Sequence, residues 1–157
     1  MRTVNDKFTV EMFNTVRFYI SWIVSAIIMY GAFYLWHGVF LNDLARISFS
    51  KTLFLVLAAL VYLIISIVLY KLFESEFLSN KIQHPVSKGL LSGLILGFVL
   101  FAVVTVLGIS FTKSISIEYI ALDFVWQIFE QVLGGVIIGL GKVFIFDPIP
   151  EMSRRDF

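Results

Sequence analysis

Residues 89–112 read GLLSGLILGFVLFAVVTVLGISFT, an uncharged run of 24 positions between Lys88 and Lys113. A helix needs about 20 mainly apolar residues to cross the hydrocarbon core of a bilayer. With no water there to satisfy backbone amides, such a run has to be helical. Three further stretches of the same kind flank it, at 18–41, 52–70 and 119–141, and each is bounded by charge: Arg17 and Asp43, Lys51 and Lys71, Glu118 and Lys142. The pattern predicts an all-α fold, an integral membrane four-helix bundle with helices at about 18–41, 52–70, 89–112 and 119–141, forming a single transmembrane domain over 1–157.

The connections span about 10, 18 and 6 residues, too short for a second domain, and Pro85 in the middle one breaks any continuous helix there. Residues 4–16 and 144–157 read as short amphipathic or irregular flanks, the second containing Asp147-Pro148-Ile149-Pro150, which stops the last helix. The run 18–41 is too long for a signal-peptide core and lacks a small-x-small cleavage pattern, so it reads as a retained first helix.

Composition agrees with the hydropathy pattern. Hydrophobic residues make up 59% of the 157 positions and charged residues 15%, with a mean hydropathy of +0.94, values that a water-soluble domain reaches only by exposing large apolar patches. The net charge of +1 balances 12 basic against 11 acidic residues, which leaves no basic excess for nucleic acid. The partner in view is the lipid bilayer. Cysteine is absent, so disulfides, thiolate metal sites and thiol nucleophiles are excluded.

Orientation follows from the basic residues. The termini share one side with the second connection, and that side carries Arg2, Lys7, Arg17, Lys71, Lys81, Lys88, Lys142, Arg154 and Arg155, against Arg46, Lys51 and Lys113 on the other. Nine against three predicts cytoplasmic N and C termini. The localisation implied is multi-pass in a cell membrane, the inner membrane in a bacterium.

Two patterns stand out inside the segments. Gly89, Gly93 and Gly97 in the third, and Gly135 and Gly139 with Gly134 and Gly141 in the fourth, form a glycine zipper whose grooves admit another backbone closely. They suit packing of these two helices or of two protomers. The fourth segment also carries Asp123, Gln127, Glu130 and Gln131, of which 123, 127 and 130 share a face at i, i+4, i+7. Glu130 falls near mid-membrane, where a carboxylate is costly and therefore faces protein or a wet cavity. Tyr30, Tyr34 and His37 repeat that spacing in the first segment, which runs the opposite way. If the two faces meet, His37 pairs with Asp123, Tyr34 with Gln127, and Tyr30 with Glu130.

The stripe reads either as hydrogen-bonding glue between helices, worth about 0.5–2 kcal/mol per bond, or as a site where Glu130 exchanges a proton or binds a cation, with His37 and Asp123 as outer relay. No metal site is expected, because one histidine is few for a transition metal. His84 in the middle connection is far from His37 in the sequence pattern, which argues against paired haem ligation. No Ser-His-acid order, Walker loop or nucleotide fingerprint is present, so neither an enzyme nor a cofactor is implied.

The order of features, with Trp36-His37-Gly38 closing the first segment, a glycine-rich third, and Trp126-Gln127, Glu130-Gln131 and Gly134-Gly135 in the fourth, resembles small uncharacterised four-helix membrane proteins of bacteria, of the kind grouped as domains of unknown function. The resemblance carries over no catalytic or binding residue. The chain is also similar to small multidrug transporters in size and in having one buried glutamate, which they place in the first helix and this chain places in the fourth. The function this implies is a non-enzymatic membrane protein, acting as a homo-oligomeric bundle or as an accessory subunit of a larger membrane complex. The alternative is a proton-coupled transporter or channel for small solutes built around Glu130.

The topology is directly testable, because the cysteine-free chain accepts single labels. An impermeant maleimide added to intact cells labels Ser48→Cys and Ser116→Cys but not Ser79→Cys. The reverse pattern overturns the orientation.

Overall fold

A computed structural model describes the backbone of residues 4–111 and 116–145, with side chains described from Asn14 to Leu107 and from Ser116 to Ile145. Arg2, Lys113, Arg154, Arg155 and the 147–150 turn lie outside the described residues, as does the side chain of Lys7. The described residues are mostly helical, with no strand among them. Helix α1 covers Val4–Phe33, α2 Lys51–Phe73, α3 Glu76–Ser79, α4 Pro85–Phe111 and α5 Ile117–Phe144. Four helical spans, Asn14–Phe40, Lys51–Phe73, Pro85–Leu107 and Ile117–Phe144, are long and apolar enough to cross a membrane.

Local chemistry explains the boundaries. Helix α1 starts at Val4, so residues 4–16 are not a separate flank; no proline or glycine interrupts the chain before Gly31, and the helix propagates through its polar first turns. Ser50 and Ser116 cap α2 and α5 by accepting from the amides of Leu53 and Glu118. Pro85 occupies the first position of α4, where its missing N–H is no loss. Beyond Phe33 the first helix continues as a π-helix over Tyr34–Phe40, ended by an i→i+5 bond from the Leu41 amide to the Trp36 carbonyl (2.9 Å) and by Asn42 in the left-handed region, φ 55°.

Among the four long helices, α1 packs on α2 and α5, α4 packs on α5 and α2, and α2 also meets α5 across the middle. Their outward faces are aliphatic, with Ile27, Leu57, Ile64, Val104 and Val125 among the exposed side chains. The interior is narrow and built from Met29, Tyr62, Leu69, Phe73, Leu96 and Ile138. Four of the eight buried polar residues among the described ones are serines: Ser92 donates to the Lys88 carbonyl (2.7 Å) and Ser66 to the Leu63 carbonyl (3.0 Å) within their own helices, and Ser25 crosses to the Gly134 carbonyl (3.1 Å).

The tightest approach is between α4 and α5. A β-carbon at Gly89 would collide with the Gly135 carbonyl and one at Gly93 with the Gln131 carbonyl, while one at Gly139 would lie 2.6 Å from the Pro85 carbonyl oxygen. At Gly97 the space loosens, with Ile128 Cα at 3.0 Å. Gly31, by contrast, has nothing within 4 Å of a built β-carbon.

This contrast yields a paired test. Gly135→Ala places a methyl against the Gly89 carbonyl and should lower thermal stability in detergent by about 1–3 kcal/mol, the usual range for overpacking. Gly31→Ala should be neutral or stabilising by up to about 1 kcal/mol through helix propensity. Equal behaviour of the two variants would show that the α4–α5 contact does not set stability.

Candidate functional site

Burial along α5 falls into rows. Gln131, Gly135 and Gly139 face α4, whereas Glu130, Gly134 and Gly141 face α1 and α2, with Gly134 against Met29 and Leu69 and Gly141 against Ser21. Continuing the second row toward the start of α5 brings Gln127, Trp126 and Asp123 onto a pocket of about 340 Å³. Phe33, Trp36 and His37 of the first helix, Tyr62 of α2, and Phe101 and Thr105 of α4 complete its walls. Among the described residues no lysine or arginine lines it.

The pocket deepens from the exposed Asp123 to Glu130, which is 2% exposed and seven residues further along α5, a distance of about 10 Å at helical rise. At the rim the Trp36 indole Nε1 donates to Asp123 Oδ1 (3.3 Å), and the Trp36 and Trp126 rings stack with centroids 4.5 Å apart and planes 10° from parallel. His37 Nδ1 lies 3.1 Å from Asp43 Oδ2, just beyond the π-helix, and its ring leans on Phe33 at 5.0 Å. At the floor the Tyr62 hydroxyl is directed at the Glu130 carboxyl, and Gln131 Nε2 donates to Glu130 Oε1 (3.3 Å). The Trp126 indole nitrogen is buried with no hydrogen-bond partner, as is the Gln131 Oε1 atom.

Four sequence-predicted site residues, His37, Asp123, Gln127 and Glu130, therefore line one pocket. Their pairing differs from the sequence expectation. Asp123 takes Trp36 as its partner and His37 takes Asp43; Tyr62 of α2, not Tyr30, faces Glu130. Tyr30 packs on Tyr62 and Phe33, at 6.2 Å from each, and Tyr34 is exposed; neither lines the pocket. Gln131 is 0% exposed and sits a residue's rotation away, behind Gly97. The physical reason is the rotation of α1. Its α5-facing row is Ser21, Ser25, Met29, the row that meets Gly141 and Gly134, and this is about 100° from the Tyr30 stripe.

Tyr62, Trp36, Trp126 and Thr105 were not singled out by their polarity. The signal that does locate the pocket is the row of small residues at 21 and 25 opposite the glycines of α5. Comparison of the chain with protein-family models, curated proteins and solved structures finds no match.

The floor of the pocket makes a stability prediction. Glu130→Leu leaves the Tyr62 hydroxyl and the Gln131 amide without an acceptor and should cost about 1–2 kcal/mol, in the range of lost hydrogen bonds between membrane helices. Glu130→Gln retains an acceptor at the same place and should stay near the parent protein. Thermal unfolding in detergent measures both, and a Leu variant as stable as the parent would mean that Glu130 holds nothing together.

Proposed function

We propose that this is a multi-pass membrane protein whose pocket takes up a small organic cation in exchange for a proton on Glu130. The observation that carries the proposal is the chemistry of the walls: two carboxyls, at the rim and at the floor, several aromatic faces, and no lysine or arginine among the described residues. Aromatic faces attract cations through their ring quadrupole, most strongly when water is excluded. Trp36, Trp126 and Tyr62 offer such faces above Glu130. A volume of about 340 Å³ lies at the low end of small-molecule sites and suits an amine or quaternary ammonium of a few carbons.

Glu130 supplies the exchange. Near the middle of a span that runs Ile117–Phe144, an isolated carboxylate is costly, so the group holds either a proton or a cation. The nine-to-three distribution of basic residues supports a cytoplasmic Arg17 end, which leaves the pocket open to the outside. The pocket closes below Glu130 where Met29, Leu69 and Gly134 meet. Uptake therefore starts from the outer face of a cell membrane, in a bacterium the inner one.

Proton release tests this directly. Addition of trimethylphenylammonium to the purified protein in weakly buffered detergent should release up to one proton per chain and change the tryptophan fluorescence. Glu130→Gln, whose amide cannot titrate, should give no proton while remaining folded. Absence of both signals in the parent protein overturns the proposal, and if foreign membrane subunits then co-purify after mild extraction, the accessory-subunit role takes its place.

A further inference from the structure

The buried row of α2 runs Phe73, Leu69, Ser66, Tyr62 and stops there. The next positions on that face, Ala58 and Leu55, are half-exposed, and no residue from Lys51 to Val61 is buried. On α4 the buried positions end at Leu96 and Gly97, with none from Phe98 to Leu107. Both limits fall near the floor of the aromatic pocket, to whose wall α2 contributes Tyr62 alone. Above the floor each of these helices takes its aromatic contacts from its other neighbour. Phe54 of α2 leans on Phe33 of α1 at 6.1 Å, whereas Phe101 of α4 leans on Phe124 of α5 at 4.8 Å. The outer halves of α2 and α4 are drawn away from each other, which leaves the pocket a side opening between them. Val104 marks it, since this residue lines the pocket and is also 59% exposed on the aliphatic exterior of the bundle.

We infer that the ligand enters through this opening from the bilayer, and that it is an amphipathic cation, with its ammonium head in the pocket and an apolar tail lying between α2 and α4. The inference rests on the reading of Glu130 as a cation site and adds the class of cation and its route. Size separates the two parts of the ligand. A cavity of about 340 Å³ holds a head of a few carbons and little more, so a longer tail has to leave it. Two exits are open to that tail. Toward the outer surface it would pass Asp123, His37 and Thr105 and expose its methylenes to water. Toward the side it meets Val104, Leu55 and Ala58, all apolar, and the small side chain of Ala58 leaves the cleft unfilled on the very row that Tyr62 closes further in. A tail taking the side exit stays in apolar surroundings throughout, while the head finds the carboxyl of Glu130.

Decyltrimethylammonium carrying a diazirine at the tail tip tests the route in protein reconstituted into lipid nanodiscs. Irradiation should label α2 within 51–61 and α4 within 98–107, and excess trimethylphenylammonium should suppress that labelling. Proton release should reach half-maximum at a concentration roughly tenfold lower for decyltrimethylammonium than for propyltrimethylammonium, because only the longer tail reaches the cleft. Ala58→Phe, which fills the cleft from a position outside the pocket wall, should remove this advantage and keep the response to trimethylphenylammonium. Leu57→Phe, on the exposed face beside it, should keep both. Suppressible labelling confined to the 42–50 connection, or a tail-length advantage undiminished in Ala58→Phe, overturns the side route and leaves the cation site standing. A disulfide-linked dimer of Ala58→Cys that excludes the probe gives the cleft to a second copy and overturns the inference as well. If no ammonium compound releases a proton, the cation reading falls and the inference with it. The labelling pattern is read on the parent protein, so it decides the matter even where Ala58→Phe folds poorly.

Discussion

Backbone contact between α4 and α5 is the constraint from which the remaining geometry follows. Gly89 and Gly93 admit the carbonyls of Gly135 and Gln131 where any side chain would collide, and Gly139 admits Pro85. Between helices in an apolar solvent there is no hydrophobic drive, and close van der Waals approach of this kind is what holds a pair together. It also fixes rotation. Once the row 131, 135, 139 must face α4, the row 130, 134, 141 must face α1 and α2, since neighbouring residues on a helix lie 100° apart. Glu130 is thereby aimed at Tyr62 and away from the aliphatic exterior. A one-residue rotation of α5 that carried Glu130 to the place of Phe129 would move the carboxyl toward the exposed apolar surface, where its burial against polar partners would be lost.

The same seam explains why the pocket above Glu130 opens toward Asp123. Interaxial distance depends on the side chains at the contact. Over the glycines the helices nearly touch, but past Gly97 the contact passes to the rings of Phe101 and Phe124, 4.8 Å apart, with Phe98 at 6.5 Å from Phe124. Aromatic spacers replace hydrogen atoms, and the space between α5, α2 and the first helix widens toward Asp123. The π-helix faces this widening, with Trp36 laid over Trp126 and Asp43 drawn back to His37. Such turns are uncommon within helices and recur at functional sites.

How much of this the sequence reveals depends on which force decides each feature. Hydropathy decides the spans, and all four were legible from uncharged runs; the observed helices extend only a few residues beyond them at most ends, while α1 reaches back to Val4 because nothing breaks it. The face shared by Asp123, Gln127 and Glu130 was legible because helical spacing alone defines it. Partners on other helices were not, because they depend on rotations that polarity does not set. Ranking α1 by its polar side chains selected Tyr30, Tyr34 and His37, whereas packing selected the small row of Ser21 and Ser25 that the glycines of α5 can approach. Tyr62 stood in the middle of an unbroken apolar run, where neither spacing nor charge singles it out. Gln131 was grouped with Glu130 by adjacency, although adjacency on a helix means different faces.

The interlocked pair also limits how anything could move below Glu130. Backbone contacts between α4 and α5 leave no side chain to rearrange, so a path along that seam requires separating the helices. The contacts of α1 and α2 with α5 are of another kind: one Ser25 hydroxyl on the Gly134 carbonyl, and the flexible side chains of Met29 and Leu69 laid against Gly134. Methionine repacks readily among rotamers, and a single interhelical hydrogen bond is worth about 0.6 kcal/mol on average in a membrane. Any opening of the bundle below the floor of the pocket would therefore fall between α1, α2 and α5, with α4 and α5 acting as the fixed frame.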